Sequence, residues 1–579
     1  MAGHPAVAER LAKLQVDQRR AATAPPGPVL CVAPAGSGKT TTLVARVAWL
    51  IDSGEPPQTI CAITFNRRAA EELRERVEVA LEPLGAGLAP RVRIRTFHAL
   101  GLEMLRQAGE PVEPLLDRDE IVKAVRPDAT VAERRRLDTI LSRFKLDLDI
   151  DPIAIERDPA AGPVARTYAA YEAEIRRRGG LDFDDLVARA LRLLEGSPAV
   201  LATWRERCRH LLVDEAQDLD RAQLRLALLL AAPANRIFLV GDDDQSIYGW
   251  RLADVRRLLG LADEALPGLM RVDLETNYRC PAPVLDRAVR LVEHNIERFA
   301  KVIRAGPRAE GRLVLAPSAA DDVDRAAAVL ASWPADGGTQ AVLARTNREL
   351  LPVVAAALRR SLPFRAPKLR LPIESPLVDE LLATAKASGM GSTAVPPLVL
   401  LGKLPERQPD APGRMAETIE DDDPVLERRA VAAALLGWAA ASPTLEALEG
   451  AVHATRLQLD ELRRDDAPLT LATAHGTKGL EFDHVAVIGL DEGRFPSARS
   501  VAEAVEPARA LEEERRLAYV AWTRARRSLT LVYDPGAPSR FLLEAFSAIE
   551  LGLPAHVGTK SRGRPVARPR AFRSEVLDG

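Results

Sequence analysis

The sequence has no long apolar run and no apolar stretch at its start, so neither a membrane span nor a signal peptide is expected. In 579 residues no apolar run reaches the roughly 18 residues of a membrane span. The opening MAGHPAVAERLAKLQ mixes acid and base. Only four cysteines occur (Cys31, Cys61, Cys208, Cys280), and no two form a CxxC pair. Neither a disulfide framework nor a zinc site is expected, and a reducing cytoplasm is the expected setting. A net charge of −2 excludes a uniformly basic coat for nucleic acid but leaves room for a local basic groove. Aromatics make up 4%, and lysine is scarce, ten against seventy arginines. The arginine excess reads as genome composition. Each lysine, and each aromatic without a core role, is therefore informative.

What is present is an alternation. The length exceeds what one hydrophobic core supports, so several domains are expected. PVLCVA (28–33), ICAIT (60–64), IRTF (94–97), HLLVD (210–214) and RIFLV (236–240) read as strands separated by helical stretches. That pattern predicts a parallel α/β sheet. It restarts after 271 with RLVLA, QAVLA, LTLAT, HVAVIG and SLTLVY. A charged helical stretch, 106–180, interrupts the first series. A second stretch, 386–467, Pro-rich, then acidic, then helical, interrupts the other. Arg134–Arg136 and Arg176–Arg178 read as solvated helix faces. Residues 556–579 are polar, rich in Arg and Pro, and expected to be disordered. Within them Arg562-Gly-Arg-Pro565 reads as a generic basic tail or as a minor-groove hook.

Three stretches carry chemistry. APAGSGKT (33–40) has P-loop spacing between a strand and a helix, with Ala33 where Gly is common. Its glycines let backbone N–H groups turn toward phosphate, Lys39 reaches the terminal phosphates, and the Thr40 hydroxyl suits Mg²⁺. LLVDEAQD (211–218) offers Asp214 to Mg²⁺ and Glu215 to an attacking water. Adjacent carboxylates in a strand point to opposite sides, which separates these roles. GDDDQSIYGWR (241–251) joins an acidic start to a Trp-Arg end, pairing phosphate chemistry with an aromatic platform.

In order, these motifs resemble the UvrD/Rep/PcrA group of superfamily 1A DNA helicases. The likeness covers about 11–385 and 466–545. It is carried by LQVDQRRA (14–21), ITFNRRAAEELRER (63–76), TFHALG (96–101), LDFDDL (181–186), LETNYRCP (274–281), LATAHGTKGLEFDHV (471–485), RFPS (494–497), EEERRLAYVAWTRAR (512–526) and PSRFL (538–542). The resemblance implies two RecA-like P-loop NTPase domains with parallel sheets, each interrupted by a mainly helical insertion. The expected divisions are domain 1A (1–105 and 180–270), insertion 1B (106–179), domain 2A (271–385 and 468–555), a reduced insertion 2B (386–467) and the tail 556–579.

It also implies roles. Lys39, Asp214, Glu215, Gln245, Arg279 and Arg524 are the expected catalytic set, the two arginines acting as fingers from the second domain. Gln18, Ala35, Gly36, Ser37, Gly38, Lys39, Thr40, Thr41, Tyr278 and Glu481 are expected to hold ATP, and Thr40 and Asp214 to hold Mg²⁺. Gln18 is expected at the adenine edge and Tyr278 stacked on the base, with core packing the rival reading for Tyr278. Thr64, Phe65, Thr96, His98, Trp250, Arg251 and His475 are expected to line single-stranded DNA. For the two histidines an interfacial structural role competes.

The expected function is ATP-driven 3′-to-5′ translocation on single-stranded DNA with unwinding, in repair, replication or recombination, by a monomer acting at single-strand/duplex junctions. One alternative is a translocase that strips proteins or serves a repair or defence complex with little unwinding of its own. Another is a nucleotide-dependent DNA-binding switch. Two departures stand out. Leu252 replaces the Gly that the family carries after Trp-Arg, and about 80 residues stand where the family has a larger insertion.

Overall fold

The computed structural model describes residues 3–146, 150–158, 160–307, 310–388, 396–401 and 424–553. The tail with its Arg-Gly-Arg-Pro motif and the Pro-rich and acidic part of the second insertion lie outside them. Two six-stranded sheets organise the chain, and every strand pairing in both is parallel.

The first sheet holds β1 (Val29–Val32), β2 (Ile60–Thr64), β3 (Arg93–Thr96), β4 (His210–Val213), β5 (Ile237–Gly241) and β6 (Met270–Asp273), in the order β3-β2-β4-β5-β1-β6. β1, β2, β4 and β5 are buried at every position, the unbroken apolar pattern of parallel strands covered on both faces. One face packs on Val44, Val47, Leu73 and Val77, the other on Met104, Leu191 and Leu226. Because β1, β4 and β5 lie together, the turns that follow them meet at one edge. Open parallel sheets bind ligands in this place.

A two-residue pairing, β7 (Thr276–Asn277) with β8 (Arg304–Ala305), follows. The second sheet holds β9 (Arg312–Pro317), β10 (Gln340–Ala344), β11 (Phe364–Arg365), β12 (Leu469–Thr473), β13 (Phe482–Val487) and β14 (Ala525–Tyr533), in the order β11-β12-β10-β13-β14-β9. Three helices pack in the cores of these sheets: α1 (Lys39–Asp52), α2 (Ala282–Val292) and α3 (Pro507–Trp522).

Three expected divisions cut through elements. The one at 105/106 falls inside the helix Phe97–Gln107, the one at 270/271 splits β6, and the one at 385/386 falls inside the helix Leu377–Ser388. MRVD is only half apolar, so its parallel pairing with β1 is invisible in its own pattern.

The two insertions differ. The first has a small core of its own, formed by Ile121, Val122, Leu137, Leu141, Tyr168, Tyr171 and Ile175. Beneath it lies a buried ion cluster. Lys145 meets Glu172, Asp182 and Asp185 at 2.8, 2.9 and 3.1 Å, and Arg118 meets Asp182 and Asp184 at 2.9 and 2.6 Å. The LDFDDL block supplies three of these carboxylates. The helices of the second insertion instead give Leu400, Val431, Leu435, Leu448, Val452 and Leu459 to the same cluster as Val342, Leu469 and Leu471 of the sheet. This insertion caps the second sheet and shares its core.

Candidate nucleotide and DNA site

The turn after β1 is gripped from three directions. Gly36 and Gly38 have φ of +68° and +83°, a region glycine enters freely. Both also admit close neighbours. A Cβ on Gly36 would lie 2.7 Å from Arg279 Cβ, and one on Gly38 would lie 2.6 Å from Gln18 Nε2. Ala35 N–H donates to Asp242 Oδ2 at 3.1 Å, and its carbonyl accepts from Asn277 Nδ2 at 2.7 Å. The Gly36 carbonyl accepts from Tyr278 N–H at 2.8 Å. The Ser37 carbonyl accepts from Gln18 Nε2 at 2.8 Å, while Ser37 Oγ is buried with no partner. Gln18 Oε1 also accepts from Gln15 N–H at 3.1 Å. The Gln18 carboxamide, expected at an adenine edge, is thus largely spent on seating the loop. One N–H remains for a base. Thr40 and Thr41 open α1, and Thr41 is exposed.

The turn after β4 faces this loop. Lys39 Nζ lies 3.3 Å from both Glu215 carboxylate oxygens, and Gln217 Nε2 donates to Glu215 at 2.5 Å. Glu215 has φ +52°, a left-handed conformation that costs a non-glycine residue about 1 kcal/mol or more. Strain of this kind gathers at functional sites. Asp214 and Glu215 therefore diverge because the chain turns, and the alternation along a strand expected from sequence is not the cause. Burial raises the Glu215 carboxyl, but Lys39 and Lys478 outweigh it and bring it down to about 2. Burial and the Glu215 charge push Asp214 up to about 6.

The segment after β5 ties these pieces to the second sheet's unit. Asp242 N–H donates to Gln217 Oε1 at 2.9 Å, and Asp242 Oδ2 accepts from Gln245 Nε2 at 2.6 Å. Lys301 binds Asp242, Asp243 and Asp244 at 2.8, 2.5 and 2.9 Å, and Arg298 adds a 2.9 Å pair to Asp244. The three aspartates are held by these cations and serve as scaffolding of the loop. Gln245 Oε1 accepts from Arg524 Nη2 at 3.3 Å. Arg524 is buried and also donates to Val520 O at 2.8 Å and Leu480 O at 3.1 Å. Burial and neighbouring Arg279 lower it to about 9. Arg279 Nε pairs with Glu481 at 2.7 Å, so Glu481, which the resemblance places at the nucleotide ribose or in the coupling network, is engaged with the finger candidate. Tyr278 is 45% exposed beside Gly36, which removes the core-packing reading. Sequence reasoning missed Lys301, although one of ten lysines in an Arg-rich chain is itself a signal.

The other end of the segment is aromatic. Phe65 stacks on Tyr248 at 5.0 Å, and Tyr248 meets Trp250 edge-on at 6.2 Å. The Arg251 guanidinium lies over Trp250 at 4.6 Å, and Trp250 is 55% exposed. His98 stacks on exposed Phe183 at 3.9 Å. Burial lowers His98 to about 4 and His475 to about 3, so both are neutral at pH 7. Two threonines sit differently from expectation. Thr64 is buried with its hydroxyl on Asn66 O at 3.2 Å, and Thr96 Oγ1 caps a helix by accepting from Ala99 N–H at 3.2 Å. They shape the surface from beneath. Tyr248 and Phe183 were missed by sequence reasoning, and in a chain with 4% aromatics both stood in motifs already singled out.

Comparison with known proteins matches residues 14–265 to the UvrD/REP helicase N-terminal domain and residues 438–535 to the UvrD-like helicase C-terminal domain. The chain belongs to the UvrD-like helicase family. DNA helicase II of Escherichia coli is 29% identical over 623 residues, covering 90% of this chain and 84% of that protein. ATP-dependent DNA helicase PcrA of Leuconostoc citreum is 28% identical over 635 residues, covering 90% and 83%. ATP-dependent DNA helicase Rep of Escherichia coli is 28% identical over 649 residues, covering 92% and 94%. Each alignment is longer than this 579-residue chain, so these relatives carry residues that this UvrD-like helicase lacks.

No cluster of three or more metal-ligating side chains occurs among the described residues. Mg²⁺ takes one or two protein ligands and completes its shell with water and phosphate. Asp214 offers such a ligand, with one carboxylate oxygen accepting from Glu215 N–H at 3.0 Å. No described helix is long and apolar enough to cross a membrane.

Proposed function

We propose that this UvrD-like helicase is an ATP-dependent motor that moves 3′ to 5′ along single-stranded DNA and unwinds duplex DNA in repair or replication. The observation that carries this reading is the hydrogen-bonded run from Ala35 through Asp242 and Gln245 to Arg524. It joins the phosphate loop to an arginine from the second sheet's unit. In this reading the loop 33–38 and Lys39 hold the phosphates, and Tyr278 stacks on the base. Thr40 and Asp214 hold Mg²⁺, which neutralises phosphate charge when bound. Glu215, kept ionised by Lys39 and Lys478, accepts a proton from water. Arg279 and Arg524 stabilise charge on the transferred group. Phe65, Trp250, Arg251 and the His98–Phe183 pair form a sequence-tolerant stacking path.

The test is ATP turnover with and without single-stranded DNA, for the wild type and Glu215→Gln. The expected result is strong stimulation by DNA in the wild type alone. Turnover indifferent to DNA would sink the motor reading. Forked substrates with 3′ or 5′ tails then separate unwinding from translocation.

A second reading keeps the motor and drops autonomous unwinding. The second insertion favours it, because its helices share the core of the second sheet and the chain is shorter than its alignments to relatives. Unwinding would then need a protein partner.

A further inference from the structure

The nucleotide and DNA ends of 241–254 meet one helix of the other unit and the arginine just beyond it. At one end is Arg524, just beyond α3, on Gln245 Oε1 at 3.3 Å. At the other, Glu513 Oε1 accepts from Gly249 N–H at 2.9 Å, and Arg509 Nη2 donates to Asp254 Oδ1 at 2.9 Å. α3 has 16 residues, about 24 Å at 1.5 Å per residue. From Glu514 to Trp522 every residue of it is buried.

Its three consecutive glutamates have separate tasks. Glu512 accepts from the N–H groups of Ile296 and Glu297 at 2.9 and 3.1 Å. Glu514 pairs with Arg345 at 2.7 Å. Only Glu513 of the three reaches across to the first sheet's unit. It seats an exposed turn, Gly249–Arg251, that carries Trp250. Glycine makes room there, since a Cβ at 249 would lie 2.5 Å from Glu513 Oε2.

We propose that α3 is a rod linking Arg524 to the DNA-facing turn, and that Glu513 is the positioning residue at its far end. The inference rests on the motor reading above. A shift of Arg524 with nucleotide state moves α3, and α3 moves the Gly249 N–H and with it the Trp250 ring. Coupling then has a contiguous physical carrier parallel to the loop itself.

The experiment compares wild type, Glu513→Ala and Glu513→Gln. It measures ATP turnover without DNA and with saturating oligo-dT, KM for ATP, and thermal unfolding. Loss of one hydrogen bond at an exposed turn predicts about a two- to tenfold fall in DNA stimulation for Glu513→Ala. DNA-free turnover, KM and unfolding temperature stay near wild type. Glu513→Gln keeps an acceptor oxygen and most of the stimulation. The rod is overturned if Glu513→Ala keeps the wild-type stimulation ratio, if it loses both rates together, or if Gln fails as Ala does. A wild type that DNA does not stimulate overturns the motor reading, and this inference with it.

Discussion

The two ends of the segment 241–252 are built on opposite principles. Asp242, Asp243, Asp244 and Gln245 are buried, and each has a named partner. Trp250 and Arg251 are exposed and lean mainly on each other. A phosphate site must hold charges in fixed geometry, because electrostatic preorganisation works only if nothing reorganises during reaction. A path for DNA of any sequence must accept every base, so it needs faces and contains few fixed donors. Substitutions at the first end should therefore cost catalysis or stability, and those at the second should cost coupling.

The largest effect is expected at the nucleotide end. Glu215→Gln should lower turnover about 10²- to 10⁴-fold, as removal of a positioned base does, with KM for ATP little changed. Steady-state kinetics at saturating DNA read this directly. Next comes Lys301→Met, which leaves three buried aspartates without their shared cation. Removing one partner of a buried ion cluster costs about 3–5 kcal/mol. The urea midpoint should fall accordingly and recover in part when Asp243→Asn and Asp244→Asn are added. A midpoint unmoved by Lys301→Met would mean the acidic end is not held as described.

The same contrast explains what was legible in the sequence. Strand identity was readable because β1, β2, β4 and β5 are buried on both faces and carry unbroken apolar runs. β6 and the two-residue strands were not, since partners distant in sequence define them. Lys39, Glu215, Gln245 and Arg524 are joined in one hydrogen-bonded neighbourhood, and their motifs had placed them there. Lys301 was missed because a lysine in NIERFAKVIRAG shows nothing of the three carboxylates it meets more than fifty residues upstream. Thr64 and Thr96 were read as contacts when their hydroxyls serve the backbone. Motif spacing alone cannot distinguish these uses. Nor did the 386–467 pattern reveal a shared core, because an amphipathic helix does not say which surface covers it.

At the DNA end the expected effect is smaller and of a different kind. Trp250→Ala should weaken binding of short single strands by about 1–3 kcal/mol, the worth of one stacked base. DNA-stimulated turnover should fall more than DNA-free turnover. Fluorescence anisotropy with labelled oligo-dT, beside both rates, checks it. An equal fall in both rates would make Trp250 structural and erase the contrast between the two ends.

The smallest effect concerns the residue after Arg251. Leu252 has φ +67°, where glycine is usual, and its side chain packs against the core beneath the first sheet. Its carbonyl accepts from Arg257 Nη1 at 2.7 Å, which fixes the turn from behind. Both Leu252→Ala and Leu252→Gly lose the packed side chain. Alanine keeps the left-handed strain of about 1 kcal/mol or more, and glycine does not. At an ordinary position alanine is the more stable of the two by roughly 0.5–1 kcal/mol. Here the order should invert, with Leu252→Gly unfolding at the higher temperature. Leucine holds its place through packing that outweighs its backbone cost, so both variants should lie below wild type. If the alanine variant is the more stable, the turn is not left-handed at 252, and the geometry that aims Trp250 must be redrawn.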